Sequence, residues 1–76
     1  MELKNFIEKF AEQFIDTPAE EINADTIYKN LDEWSSITTL SVIAMIDENF
    51  DTLLTRDDIN SVDTVEELYL KIKERL

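Results

Sequence analysis

Cysteine, histidine and glycine are all missing from this chain. Without cysteine, no disulfide supplements the core and no thiol nucleophile is encoded. Without histidine, the commonest general base and transition-metal ligand is lost. Together these absences remove most hydrolase, redox and zinc chemistry. Without glycine there is no Gly-rich phosphate loop and no dinucleotide fingerprint. Positive charge is also scarce: 7 basic residues face 18 acidic ones, a net charge of -11. Nucleic-acid binding needs clustered Lys and Arg, so it is not expected. An acidic surface instead favours basic partners and faster association at low salt, besides keeping a small domain soluble. No apolar run approaches membrane-spanning length and no signal segment opens the sequence, so a cytoplasmic location is expected.

What is present reads as one folded domain. The chain has 76 residues, enough for one small core, and its 43% hydrophobic content argues against disorder. Residues 1–76 are taken as a single domain without repeats or low-complexity segments. Leu3, Phe6, Ile7, Phe10, Phe14 and Ile15 recur at helical spacing and predict an amphipathic helix over 2–15. Thr17-Pro18-Ala19-Glu20 reads as a capping box with Pro at the first helical position, starting one short turn. The rest of 16–35 is a long connection, unusual in a compact domain unless it has a function or is pinned. Ile22, Ile27, Leu31 and Trp34 are the candidate pins.

A second helix is predicted over 36–50, with Leu40, Ile43, Ile46 and Phe50 facing inward and Thr39 among them. Its opposite side then carries Ile37, Ser41, Ala44, Met45 and Glu48, a mixture of apolar and acidic residues suited to a partner surface. Thr55-Arg56-Asp57-Asp58-Ile59 predicts a short third helix capped by Thr55. Asp63-Thr64-Val65-Glu66 reads as a capping box opening the last helix, with Val65, Leu68, Ile72 and Leu76 inward. Lys71, Lys73 and Arg75 fall in its final turns, where they complement the helix dipole. The fold class is therefore all-α: three long helices, one short helix and a long first loop.

One stretch stands apart, Trp34-Ser35-Ser36-Ile37-Thr38-Thr39-Leu40. A serine followed by an apolar residue opens a long helix after an acidic loop. This resembles the attachment site of acyl carrier proteins, which reads Trp-Asp-Ser-Leu or Gly-x-Asp-Ser-Leu. The resemblance extends over nearly the whole chain, including Ser61-Val62-Asp63-Thr64-Val65-Glu66-Glu67-Leu68, which is similar to the start of that family's last helix. It implies a small four-helix bundle of acyl-carrier type. It implies that Ser36 carries a covalent 4′-phosphopantetheine arm derived from coenzyme A, whose thiol holds an acyl, aminoacyl or polyketide group. Ser36 is favoured over Ser35 because the family serine is followed directly by an apolar residue, here Ile37. Ser35 stands where the family usually has aspartate, and Thr38 and Ser41 stand where acids are frequent.

The position suits the chemistry. Free backbone N–H groups and the positive end of a helix dipole stabilise a phosphodiester's charge. A serine there is also a good N-cap, which is its commonest role in proteins at large. The missing cysteine is then accounted for, because the thiol is imported on the arm. Implied partners are a phosphopantetheinyl transferase and acyl-loading and acyl-processing enzymes with basic docking patches. Ile37, Ala44, Met45 and Glu48 are the implied docking residues, with Met45 equally readable as an edge-of-core side chain. The chain itself is expected to be a monomer and not an enzyme. Two other readings are an unmodified carrier-like adaptor and an acidic module that binds a basic protein. Asp57 and Asp58 read as first-turn dipole partners rather than a catalytic acid–base pair. An EF-hand over 47–58 lacks the required Gly and ligand spacing.

Overall fold

The computed structural model describes residues 2–76. Four α-helices follow in order: α1 Leu3–Ala11, α2 Ser36–Phe50, α3 Arg56–Asn60 and α4 Val65–Glu74. Single 3-10 turns at Ala19–Glu21 and Tyr28–Asn30 punctuate the long connection between α1 and α2. Among the described residues there is no strand, only one isolated bridge between Ile27 and Thr64. The chain is a small all-helical bundle in which α1 packs on α2 and α4, and α2 on α3.

Helix α1 stops at Ala11, four residues before the predicted end. The chain tightens there through Gln13 N–H to Phe10 O and Phe14 N–H to Ala11 O bonds. It then turns the N–H groups of Ile15, Asp16 and Thr17 onto the Glu33 carboxylate. Phe14 stays buried, but Ile15 is 90% exposed and does not belong to the core stripe. The same carboxylate accepts the Thr17 hydroxyl at 2.9 Å. Thr17 is thus taken from the expected capping box; Pro18 precedes the turn at Ala19, and no side chain caps it.

The long connection is pinned rather than loose. Ile22 and Tyr28 are buried, and Leu31 and Trp34 pack against the core from its edge. Ile27 is half-exposed, so the neighbouring Tyr28 takes the role expected of it. The Tyr28 hydroxyl donates to the carbonyls of Ile59 and Val62. The carbonyls of Thr26 and Ala24 accept from Val65 N–H and Glu66 N–H at 3.1 and 3.0 Å. The connection therefore satisfies first-turn donors of α4 that no intrahelical carbonyl can reach.

Helix α2 has the predicted bounds, but it is rotated about its axis. Its buried residues are Thr38, Thr39, Val42, Met45, Ile46 and Phe50. Leu40 is 52% exposed, because it lies about 200° around the helix from the buried Val42. The polar pair Thr38 and Thr39 can turn inward because its hydroxyls donate to Glu33 O and Ser35 O, both at 2.9 Å. With no glycine to end α2, Asp51 takes the left-handed conformation at φ 52, a region short polar side chains tolerate.

Helix α3 opens with the Thr55–Asp58 capping box. Helix α4 opens one residue later than predicted: Thr64 caps and Glu67 closes the box, displacing Asp63 and Glu66 from those roles. Val65, Leu68 and Ile72 face inward as expected, joined by Tyr69, whereas Leu76 lies beyond the helix end and is exposed. Asp58 joins the two helices, accepting from Arg75 at 2.7 Å with Lys71 at 3.8 Å. Its carboxyl is held below the usual range, chiefly by Thr55 N–H, with Arg75 adding to the effect. The core is aromatic at its centre. Phe6 meets Phe10, Phe50 and Tyr69, and Phe10 meets Phe14, Tyr28 and Trp34.

Candidate functional site

Two serines start α2, and their hydroxyls are differently engaged. Ser35 is the N-cap, with extended backbone, and its Oγ accepts Thr38 N–H at 3.3 Å. Ser36 is the first helical residue and is exposed. No hydrogen bond among the described residues engages its hydroxyl. The capping role that ordinarily explains a serine here is filled by its neighbour, which leaves the exposed Ser36 Oγ unengaged. The first intrahelical bond runs from Thr39 N–H to Ser35 O at 2.9 Å. The N–H groups of Ser36 and Ile37 precede it, at the positive end of a 15-residue helix.

Ser36 lies in a shallow cleft of about 260 Å³, lined by Trp34, Ser35, Ser36, Thr39, Arg56 and Asn60. The start of α2 forms one wall and α3 the other. The site is held from behind. Glu33 is tied to residues 15–17, Trp34 stacks on Phe10 and Phe14, and its ring lies 4.9 Å from that of Tyr28. Glu33 is kept ionised below its ordinary range, chiefly by the Ile15 N–H, with Asp16 and Thr17 contributing. A larger depression of about 760 Å³ adjoins Glu33. It is lined by Asp16, Glu21, Asp32 and Glu33 among others, a wall of one sign.

The expected docking residues divide. Ile37 is 78% exposed, and Ala44 and Glu48 are exposed on the same side of α2. Met45 is only 4% exposed and belongs to the core, and its edge lines a depression between α1 and α2 with Lys9, Ala44 and Glu48. Leu40 takes its place on the outer face, with Asp47 beside it. The swap follows from the rotation that Thr38 and Thr39 impose. Arg56 and Asn60 were not legible as site residues, because only the packing of α3 against α2 brings them to Ser36. Among the described residues, no group of three or more His, Cys, Asp or Glu could hold a metal ion. No described helix is long and apolar enough to cross a membrane. No protein-family model matches the chain, and neither the curated proteins nor the solved structures contain a significant match to it.

Proposed function

We propose that this chain is an acyl carrier protein, modified at Ser36 by phosphopantetheine. The observation that carries the reading is the division of labour at the start of α2: Ser35 caps, and Ser36 presents an unengaged hydroxyl at a rigid helix start. The residues present fit the group. Its phosphodiester would sit beside the N–H groups of Ser36 and Ile37 and in a cleft without a carboxylate lining. When bound, the arm supplies a thiol able to hold an acyl group as a thioester, chemistry absent from a chain without cysteine.

Loading is a phosphoryl transfer performed by a partner transferase. Ser36 Oγ loses its proton and bonds to phosphorus, while the pyrophosphate P–O bond of coenzyme A breaks and adenosine bisphosphate leaves. The chain's own contributions are exposure of that hydroxyl, a fixed helix start and stabilisation of the new negative charge. Ile37, Leu40 and Ala44 with Asp47 and Glu48 then form an outer face suited to basic, partly apolar partners. Such contacts weaken with salt and act mainly on association rate.

The absence of cysteine makes a direct test simple. After incubation with coenzyme A and a broad-specificity transferase, followed by desalting, a thiol reagent should read one thiol per chain. No thiol with any of several transferases would favour the unmodified adaptor instead.

A further inference from the structure

In a chain of net charge -11, the cleft around Ser36 has an unexpected sign. Of its six lining residues only Arg56 is charged, and it is a cation. The larger depression nearby carries four carboxylates. Arg56, like Lys4, Lys9 and Lys73, forms no ion pair among the described residues, whereas Lys29, Lys71 and Arg75 are each paired with an aspartate. Asp57, next to Arg56 in sequence, is exposed and does not line the cleft, and two other nearby carboxylates are engaged elsewhere. Glu33 is held by residues 15–17, and Asp58 by Thr55 and Arg75. Ser35 and Thr38, neutral at the start of α2, add no negative charge. Asn60 and Thr39 complete the lining with amide and hydroxyl groups that can donate and accept.

We infer that Arg56 and Asn60 of α3, facing Ser36 and Thr39 of α2, form a subsite for a phosphodiester and its adjoining amide-bearing chain. This rests on the carrier reading, and it assigns α3 a role of its own: holding the base of the arm. A guanidinium offers several donors to phosphate oxygens, and such charge-assisted bonds exceed neutral ones in strength. Asn60 supplies the paired donor and acceptor that an amide requires. The arm would thus leave the protein along the α2–α3 cleft, with Arg56 as a positioning residue rather than a catalytic one.

The test uses the full chain, with loading followed by intact mass and the subsite by NMR. In nitrogen–proton spectra, the Arg56 guanidinium and Asn60 side-chain amide signals should shift between the unloaded and loaded forms. The phosphorus resonance of the loaded protein should differ between wild type and Arg56→Gln, with Arg56→Lys between them. Arg56 is exposed, so both variants should keep the wild-type circular dichroism. Complete loading with unmoved Arg56 and Asn60 signals, and one phosphorus shift in all three proteins, would overturn the subsite and leave the carrier reading intact. Failure to load would overturn both.

Discussion

Tyr28→Phe removes one oxygen atom and tests how the connection before Ser36 is held. The Tyr28 side chain is fully buried and its hydroxyl donates to Ile59 O and Val62 O, across to the end of α3 and the segment before α4. Phenylalanine fills nearly the same volume, so no large cavity forms and the loss is that of hydrogen bonding. With buried carbonyls left short of a donor, the expected cost is about 1–3 kcal/mol. A domain of this size has roughly 4–11 kcal/mol in total, at ~0.05–0.15 kcal/mol per residue. The midpoint of thermal unfolding should therefore fall by roughly 5–20 °C. Burial raises the Tyr28 pKa above the usual tyrosine value, and the negative charges of Asp63 and Glu67 raise it further. The contribution is complete below the unfolded value, about 10, and is lost as pH rises above it. Wild type should lose its advantage over the variant by up to about 1.4 kcal/mol per pH unit in that range. Urea unfolding followed by circular dichroism and by Trp34 fluorescence at several pH values measures both effects. Equal stabilities at neutral pH with parallel alkaline losses would refute the buried hydroxyl tie.

Four further substitutions separate the roles assigned to neighbouring residues. Glu33→Gln should speed amide exchange at residues 15–17 and abolish an acid-side loss of stability, measured by pH-dependent unfolding. The wild-type contribution of Glu33 is present above its unfolded pKa and lost as pH falls through the lower folded value. Ser35→Ala should cost about 0.5–2 kcal/mol in chemical denaturation through loss of the cap, while leaving the hydroxyl of Ser36 available for loading. Met45→Ala should cost about 2–5 kcal/mol as a core truncation. Leu40→Ala, on the outer face, should cost about 1 kcal/mol or less in the same assay and act instead on partner affinity.

Where structure depends on neighbours along the chain, the sequence was a good guide. The bounds of α2 follow from a serine-led start and a long apolar pattern. The α3 cap follows from Thr55 and its acid three residues later, and both elements appear as expected. At α4 the competing caps Asp63 and Thr64 lie side by side, and only Glu67 closing onto the Thr64 N–H decides between them. What depends on distant residues was less legible. After α1 ends at Ala11, residues 15–17 are held by Glu33, 16 to 18 residues further along the chain. The facing of α2 depends on carbonyls at Glu33 and Ser35 that accept the Thr38 and Thr39 hydroxyls, and this reverses the roles of Leu40 and Met45. In the sequence, Ser36 is singled out only by the resemblance of residues 34–40 to a carrier motif. Its release from capping became visible only with the hydrogen bond from Thr38 N–H to Ser35 Oγ.

The carrier reading turns on one oxygen atom, Ser36 Oγ, and intact mass reports on it. Wild type, Ser35→Ala and Ser36→Ala are incubated in parallel with coenzyme A and a broad-specificity phosphopantetheinyl transferase. Wild type and Ser35→Ala should each gain one phosphopantetheine, and Ser36→Ala none. A gain that persists in Ser36→Ala, or that disappears only in Ser35→Ala, would contradict that reading.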